Sequence, residues 1–208
     1  MTTATTAQPE NTEDFLIPLD NYLKVGLHIG TKFRTKYMEP FIYKVRNDGL
    51  AVLNVKKIDE RITIATKFLS TYEPKEILIV CRRENGWKSV NLLSKLTSIK
   101  VIAGRYRPGL LTNTKLDNFT ETKILFVVDP WPDKNAVMDA NAMGIPVVAL
   151  CDTNNESNFL DLVVPCNNKG KKSLALFFWV LTKEYLKSRG LIKKDEDMKL
   201  SIDDFTPA

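Results

Sequence analysis

Three carboxylates stand where a phosphoryl-transfer enzyme would hold a metal. Asp129 and Asp133 follow the apolar run Ile124 to Val128, and Asp152 follows Pro146 to Cys151. If those runs are neighbouring strands, Asp129 and Asp152 fall close enough to share one Mg²⁺ and polarise a phosphoryl oxygen. A plainer reading makes Asp129-Pro130-Trp131-Pro132-Asp133 a rigid turn with helix-capping acids, and lets Asp152-Thr153-Asn154 open another turn. No nucleophile motif accompanies the acids, so the plainer reading is preferred, and no catalytic residue, metal or cofactor is expected. His28 is the sole histidine and is not paired by sequence proximity with Cys or Ser. Asn168-Lys169-Gly170-Lys171-Lys172-Ser173 matches the end of a P-loop but lacks its first glycine and the strand that must feed it. No G-x-G-x-x-G follows Val55, Arg82 or Val128.

A different chemistry is written between His28 and Gly49. Lys32, Arg34, Lys36, Lys44 and Arg46 alternate there with Phe33, Tyr37, Phe41 and Tyr43, ahead of a tight Asn47-Asp48-Gly49 turn. Rings can lie against ribose or base faces while Lys and Arg reach the phosphates. The same four rings would also serve as core. The distribution of charge favours binding. Residues 1 to 20 carry a net −4 and residues 195 to 208 another −4, so the body from 21 to 194 carries +13 although the whole chain carries only +5. Solubility asks for a net magnitude of about 2 to 8 in a small domain; a body this basic is expected to meet a polyanion. Two further basic elements join the first: Arg105-Tyr106-Arg107, and Lys169, Lys171 and Lys172 ahead of the last helix. Cations that open a helix oppose its dipole unless a phosphate or carboxylate sits beside them.

These residues need a rigid frame. A chain of 208 residues, 44% hydrophobic, has material for one real core, burying about 70% of its unfolded surface. After an acidic arm over 1–19, expected to be disordered, comes a short helix from Asp20 to Val25. Strands and helices then alternate. The strands are read at Leu50 to Val55, Glu76 to Arg82, Val101 to Ala103, Ile124 to Val128 and Pro146 to Cys151. The helices are read at about Ile58 to Tyr72, Gly86 to Leu96, Asn135 to Met143 and Ser173 to Arg189. Gly144 ends the third of these by accepting a left-handed backbone. Near-continuous apolar strands between amphipathic helices mean parallel pairing with right-handed crossovers. The expected fold is α/β: a three-layer, doubly wound, mainly parallel five-stranded sheet. It forms one domain over 20–192, followed by a charged tail over 193–208.

Cys81, Cys151 and Cys166 are odd in number and lack metal-site spacing, so they read as buried or idle thiols in a reducing cytosol. Met1 to Pro9 has neither a basic region nor an apolar run, unlike a signal peptide. No stretch approaches 18 uncharged apolar residues, so no membrane partner is expected. In a cytosolic chain the sequons at Asn118 and Asn155 are accidental.

Three blocks carry a resemblance. His28-Ile29-Gly30 followed by Met38-Glu39-Pro40-Phe41-Ile42-Tyr43-Lys44-Val45-Arg46-Asn47-Asp48-Gly49 resembles the N-terminal signature of the universal small-subunit ribosomal protein two family. Ala140 to Asn154, closing with Val164-Pro165-Cys166-Asn167-Asn168, resembles its second signature. Gly104-Arg105-Tyr106-Arg107-Pro108-Gly109-Leu110-Leu111-Thr112-Asn113 looks like the loop of the archaeal and eukaryotic branch. The blocks span about residues 20 to 190 in the right order. No coiled-coil heptads occur, so the long helical hairpin of bacterial members is missing and the chain is similar to the compact archaeal form. Cys151 and Cys166 depart from the pattern without touching the basic blocks.

The resemblance implies a flavodoxin-like fold and a structural, non-enzymatic role in the small ribosomal subunit, in the cytoplasm. It implies contact with small-subunit ribosomal RNA near the junction of head and body, and with neighbouring small-subunit proteins, with no small-molecule substrate. The residues expected at RNA are His28, Thr31, Lys32, Arg34, Lys36, Tyr43, Lys44, Arg46, Arg105, Tyr106, Arg107, Lys169, Lys171 and Lys172.

Overall fold

Five parallel strands pair in the order β4-β3-β5-β6-β7, where β3 is Ile77–Cys81, β4 Lys100–Ala103, β5 Ile124–Val127, β6 Val147–Cys151 and β7 Leu162–Pro165. The computed structural model describes residues 15–192 and 200–207. Every residue of β3, β5 and β6 is buried, which is what near-continuous runs such as Ile77-Leu78-Ile79-Val80-Cys81 require of a sheet covered on both faces. Helices α2 (Val55–Ser70), α3 (Glu84–Thr97) and α5 (Lys171–Ser188) form one layer, with α5 against both α2 and α3. Helix α4 (Lys134–Ala142) packs on β5 and β6. The chain steps one way from β3 to β4 and the other way from β5 to β6, so right-handed crossovers put α3 and α4 on opposite faces.

Two strand assignments are corrected. The run at Leu50 to Val55 is not part of the main sheet: its β2 (Ala51–Leu53) pairs antiparallel with β1 (Ile42–Val45) across the Asn47-Asp48-Gly49 turn. A tight turn can return a strand only antiparallel to the one before it, since parallel pairing needs a crossover. The fifth strand of the sheet is instead β7. Pro165 sits at its end, opposite Cys151, and an edge strand tolerates a residue with no amide hydrogen to donate.

Helix α2 begins at Val55, three residues before the sequence reading, because Asn54 caps it by accepting from the Lys56 amide at 3.0 Å. Helix α5 is buried almost all round. Phe177 and Phe178 meet at 5.3 Å between centroids and lie 6.2 and 6.3 Å from Phe126 of β5. Asp59 of α2, itself buried, holds the N-terminal end by accepting from the Tyr22 hydroxyl at 2.5 Å, within α1 (Leu19–Val25), and from the Leu16 amide at 3.2 Å. At the other end α6 (Ile202–Phe205) packs on α5 and α3 with Phe205 fully buried. So the last part of the charged tail lies on the body, while 193–199 and the arm over 1–14 fall outside the described residues.

Candidate nucleic-acid interface

The chain leaves β5, β6 and β7 into Asp129, Asp152 and Asn168, all buried at the carboxyl edge of the sheet. Buried polar groups must find partners, and these find one another. Asp129 Oδ2 accepts from Arg83 Nε at 2.8 Å and Nη2 at 2.5 Å, while its Oδ1 accepts from the Trp131 amide at 3.1 Å and Asn155 Nδ2 at 3.2 Å. Asp152 pairs with Lys169 Nζ at 3.1 Å, and the same ammonium donates to Asn154 Oδ1 at 2.9 Å. Asn155 is the hub: its Oδ1 accepts from the Asp152 amide at 2.8 Å and from Asn168 Nδ2 at 3.1 Å. The two acids that would have shared a metal each face a cation of the protein. Among the described residues no group of three His, Cys, Asp or Glu is gathered as metal ligands would be.

The third acid, Asp133, accepts from the Arg82 amide through Oδ2 at 3.1 Å, but its Oδ1 has no partner. Burial first, and the nearby Asp129 charge, push its carboxyl up to about 6. The P-loop-like segment is closed from within, because Asn167 Oδ1 accepts from the Lys169 amide at 3.1 Å and the Gly170 amide at 3.2 Å. Those are the amides a phosphate would need. All three cysteines are buried, and burial pushes the Cys81 thiol up to about 12. Asn155 of the sequon is buried too.

Over this floor lies a ribbon. Residues 28–31 run antiparallel to β2 with bonds from Leu53 N to His28 O at 2.8 Å, Gly30 N to Ala51 O at 2.9 Å and Ala51 N to Thr31 O at 3.1 Å. A short bridged segment centred on Ile29 thus lies beside the β1-β2 hairpin. Thr153 pins it to the sheet edge. The Thr31 amide donates to Thr153 Oγ1 at 2.9 Å, the Thr35 amide to Thr153 O at 3.0 Å, and the Thr35 hydroxyl to Asn155 O at 2.7 Å. Gly30 is required by this approach, since a Cβ there would come within 2.4 Å of Thr153 Cγ2. Asn167 fastens the other end by donating to Leu27 O and Gly26 O.

On the ribbon Lys32, Arg34, Lys36, Lys44 and Arg46 are all exposed. Phe33 at 80%, Tyr43 at 69% and Tyr37 at 53% exposure stand out among them, while Phe41 packs against the core with Arg61 over its ring. Thr31 is half-buried, its hydroxyl within 3.0 Å of both Phe33 O and Thr153 Oγ1. His28 is half-buried, and desolvation lowers its pKa, so at neutral pH it offers no cation. Arg105 and Arg107, after β4, are exposed, whereas Tyr106 between them is core: its hydroxyl donates to Asp139 Oδ2 at 2.9 Å. Lys171 and Lys172 are exposed at the start of α5, and Lys169 is spent on Asp152. Cations of all three basic elements are thus exposed, with Tyr106 and Lys169 turned to internal duties; Arg105 and Arg107 line a cleft beside β4 with Lys100 and Ile102.

The family model described as ribosomal protein S2 matches residues 22–120 and 116–188. The chain belongs to the ribosomal protein S2 family. It is 48% identical over 192 residues to the small ribosomal subunit protein uS2 of Nanoarchaeum equitans, covering 92% of this chain and 96% of that one. The uS2 proteins of Picrophilus torridus (46% over 193 residues, 93% and 96% covered) and Ignicoccus hospitalis (47% over 199 residues, 94% and 94% covered) are similar as well. S2 proteins are structural, non-enzymatic constituents.

Within this S2 fold, sequence reasoning missed Arg82, Arg83 and Trp131. The signal was present: Trp131 is an apolar residue between two prolines, in a turn where turn chemistry expects a polar one. Trp131 is 73% exposed. Asn155 and Asn168 carried no comparable signal.

Proposed function

We propose that this chain is a structural constituent of the small ribosomal subunit that grips small-subunit ribosomal RNA along the carboxyl edge of its sheet, near the junction of head and body. The observation that supports this reading is the exposure of cations from three segments of an S2-family fold, the 31–46 ribbon, Arg105 with Arg107, and the start of α5. Phosphate contacts hold the protein in register, and exposed rings at Phe33, Tyr37 and Tyr43 lie against sugars or bases. Residues 20–192 act as the RNA-binding body. The acidic flanks, each with a net −4, face basic neighbouring proteins, and the chain works in the cytoplasm within the subunit during assembly and translation. No helix among the described residues is long and apolar enough to cross a membrane.

Sucrose-gradient sedimentation of a native lysate at low and high salt tests this reading. Co-migration with small subunits at low salt and release at high salt is the expected result. Sedimentation at the top of the gradient at both salts would overturn it.

A further inference from the structure

An opening at the carboxyl edge lies by the ends of β3 and β5, where the strand order reverses and doubly wound sheets receive their ligands. It is a cleft of about 660 Å³ lined by Arg82, Arg83, Glu84, Asn85, Trp131 and Pro132, within the range of about 300 to 1,000 Å³ typical of small-ligand sites. A second cleft, of about 460 Å³ and including Lys134 and Asn154, is also lined by Trp131. Trp131 therefore lines two clefts, with Arg82 and Arg83 in the first and Lys134 in the second.

Its presentation is rigid. Two prolines flank it, its amide donates to Asp129 Oδ1 at 3.1 Å, and Arg82 Nη1 closes the turn by donating to Pro132 O at 3.1 Å. Arg83 lines the cleft while clamped to the buried Asp129. A 73% exposed tryptophan is an unfavourable surface in isolation. Fixed between arginine and lysine, it has the composition of a base-stacking platform with phosphate-reaching arms.

We infer that Trp131 stacks an unpaired nucleotide of RNA, with its phosphate on Arg82 and the next phosphate along the strand on Lys134. This rests on the RNA reading of the same edge but adds a site that the basic segments do not contain. Glu84 and Asn85 beside the ring supply acceptors for exocyclic amino groups, so adenine or cytosine is favoured over uracil in the cleft.

The test is tryptophan fluorescence of the full chain titrated with single-stranded decamers of adenylate and of uridylate at low salt. Trp87 and Trp179, whose Nε1 groups donate to Cys81 O and Leu200 O, form the background, read from Trp131→Phe. Oligoadenylate is expected to quench the wild type and not Trp131→Phe. Trp131→Ala should bind it on the order of 5- to 150-fold more weakly, and Arg82→Gln should flatten the salt slope by about 0.7. Unchanged affinity in Trp131→Ala, or quenching that survives in Trp131→Phe, overturns the inference. So does a Trp131 signal that ignores RNA but responds to stripped small-subunit proteins, which would make the ring a protein contact. A wild type that binds a large ribosomal RNA fragment but no decamer sinks this site alone; one that binds neither sinks the RNA reading as well.

Discussion

Replacing Arg105 and Arg107 together by alanine separates cations that meet RNA from cations that hold the fold. Both are exposed, and among the described residues neither has an ion-pair partner. Each neutralised phosphate contributes roughly 0.7 to 0.9 to the slope of log affinity against log salt, so losing two contacts should flatten the slope by about 1.4 to 1.8. Between 50 and 200 mM salt, the wild type should then lose about tenfold more affinity than the variant. Lys169→Met is the contrasting change. Its ammonium faces an Asp152 carboxylate that is 1% exposed, while Lys169 itself is 34% exposed. Stranding a buried charge costs about 3 to 5 kcal/mol when the pair is fully buried, and partial exposure of the lysine brings this to about 2 to 3 kcal/mol. The melting temperature should fall by about 5 to 10 °C, with a nearly unchanged salt slope. Fluorescence anisotropy on a labelled ribosomal RNA fragment over a KCl series, with calorimetry of the free proteins, reads both quantities. A flattened slope for Lys169→Met, or an unchanged one for the arginine pair, would refute the division.

Three further outcomes follow from the packing. Gly30→Ala forces a Cβ toward Thr153 and should detach the ribbon, seen as faster amide exchange at Thr31 and Thr35; protection equal to the wild type would refute the close approach. Phe205→Ala empties a fully buried site under α6 and should cost about 3 to 5 kcal/mol; a melting temperature within 2 °C of the wild type, on the order of 1 kcal/mol or less, would show that the terminal segment does not dock. Asp133 keeps its proton to about pH 6 when folded, against about 3.8 for the ordinary carboxyl. The folded form therefore binds more protons across that window, and the group's contribution, full below pH 3.8, is lost as pH rises through 6, by about 3 kcal/mol in all. Urea midpoints at pH 4.5 and 7 should show this descent in the wild type and not in Asp133→Asn; equal pH dependence in the two proteins would refute it.

The fold was legible wherever a strand is buried on both faces. Ile77 to Cys81, Ile124 to Val127 and Val147 to Cys151 are apolar without interruption because no face of them meets water. Leu162–Pro165 is short, ends in proline and lies at the sheet edge, so it looks like a loop. Leu50 to Val55 reads correctly as a strand, but an apolar run does not state its partner, and the Asn47-Asp48-Gly49 turn was the better witness. At the candidate interface the sequence showed which residues are charged but not which are already paired. Lys169 and Asp152 are 17 positions apart, and Tyr106 and Asp139 are 33 apart. A tyrosine has an apolar body and a polar tip, so only the tertiary partner decides whether it is core or contact.

The pairing at the carboxyl edge also explains why a fold that so often carries catalysis reads here as a scaffold. A metal-dependent phosphotransferase needs its acids open to a cation and to substrate. Here Asp129 and Asp152 are closed off by Arg83 and Lys169 and bridged through Asn155 and Asn168, so the inner layer is nearly neutral and ties the ends of β3, β5, β6 and β7 together. Lys32, Arg34, Lys36, Lys44, Arg105 and Arg107 are exposed and keep their charge, while Arg46 faces Asp48 at 3.6 Å. A nearly neutral, hydrogen-bonded floor holds the ribbon through Thr153. Opening the floor, by removing Arg83 or Lys169, would weaken the platform before it created a catalytic site.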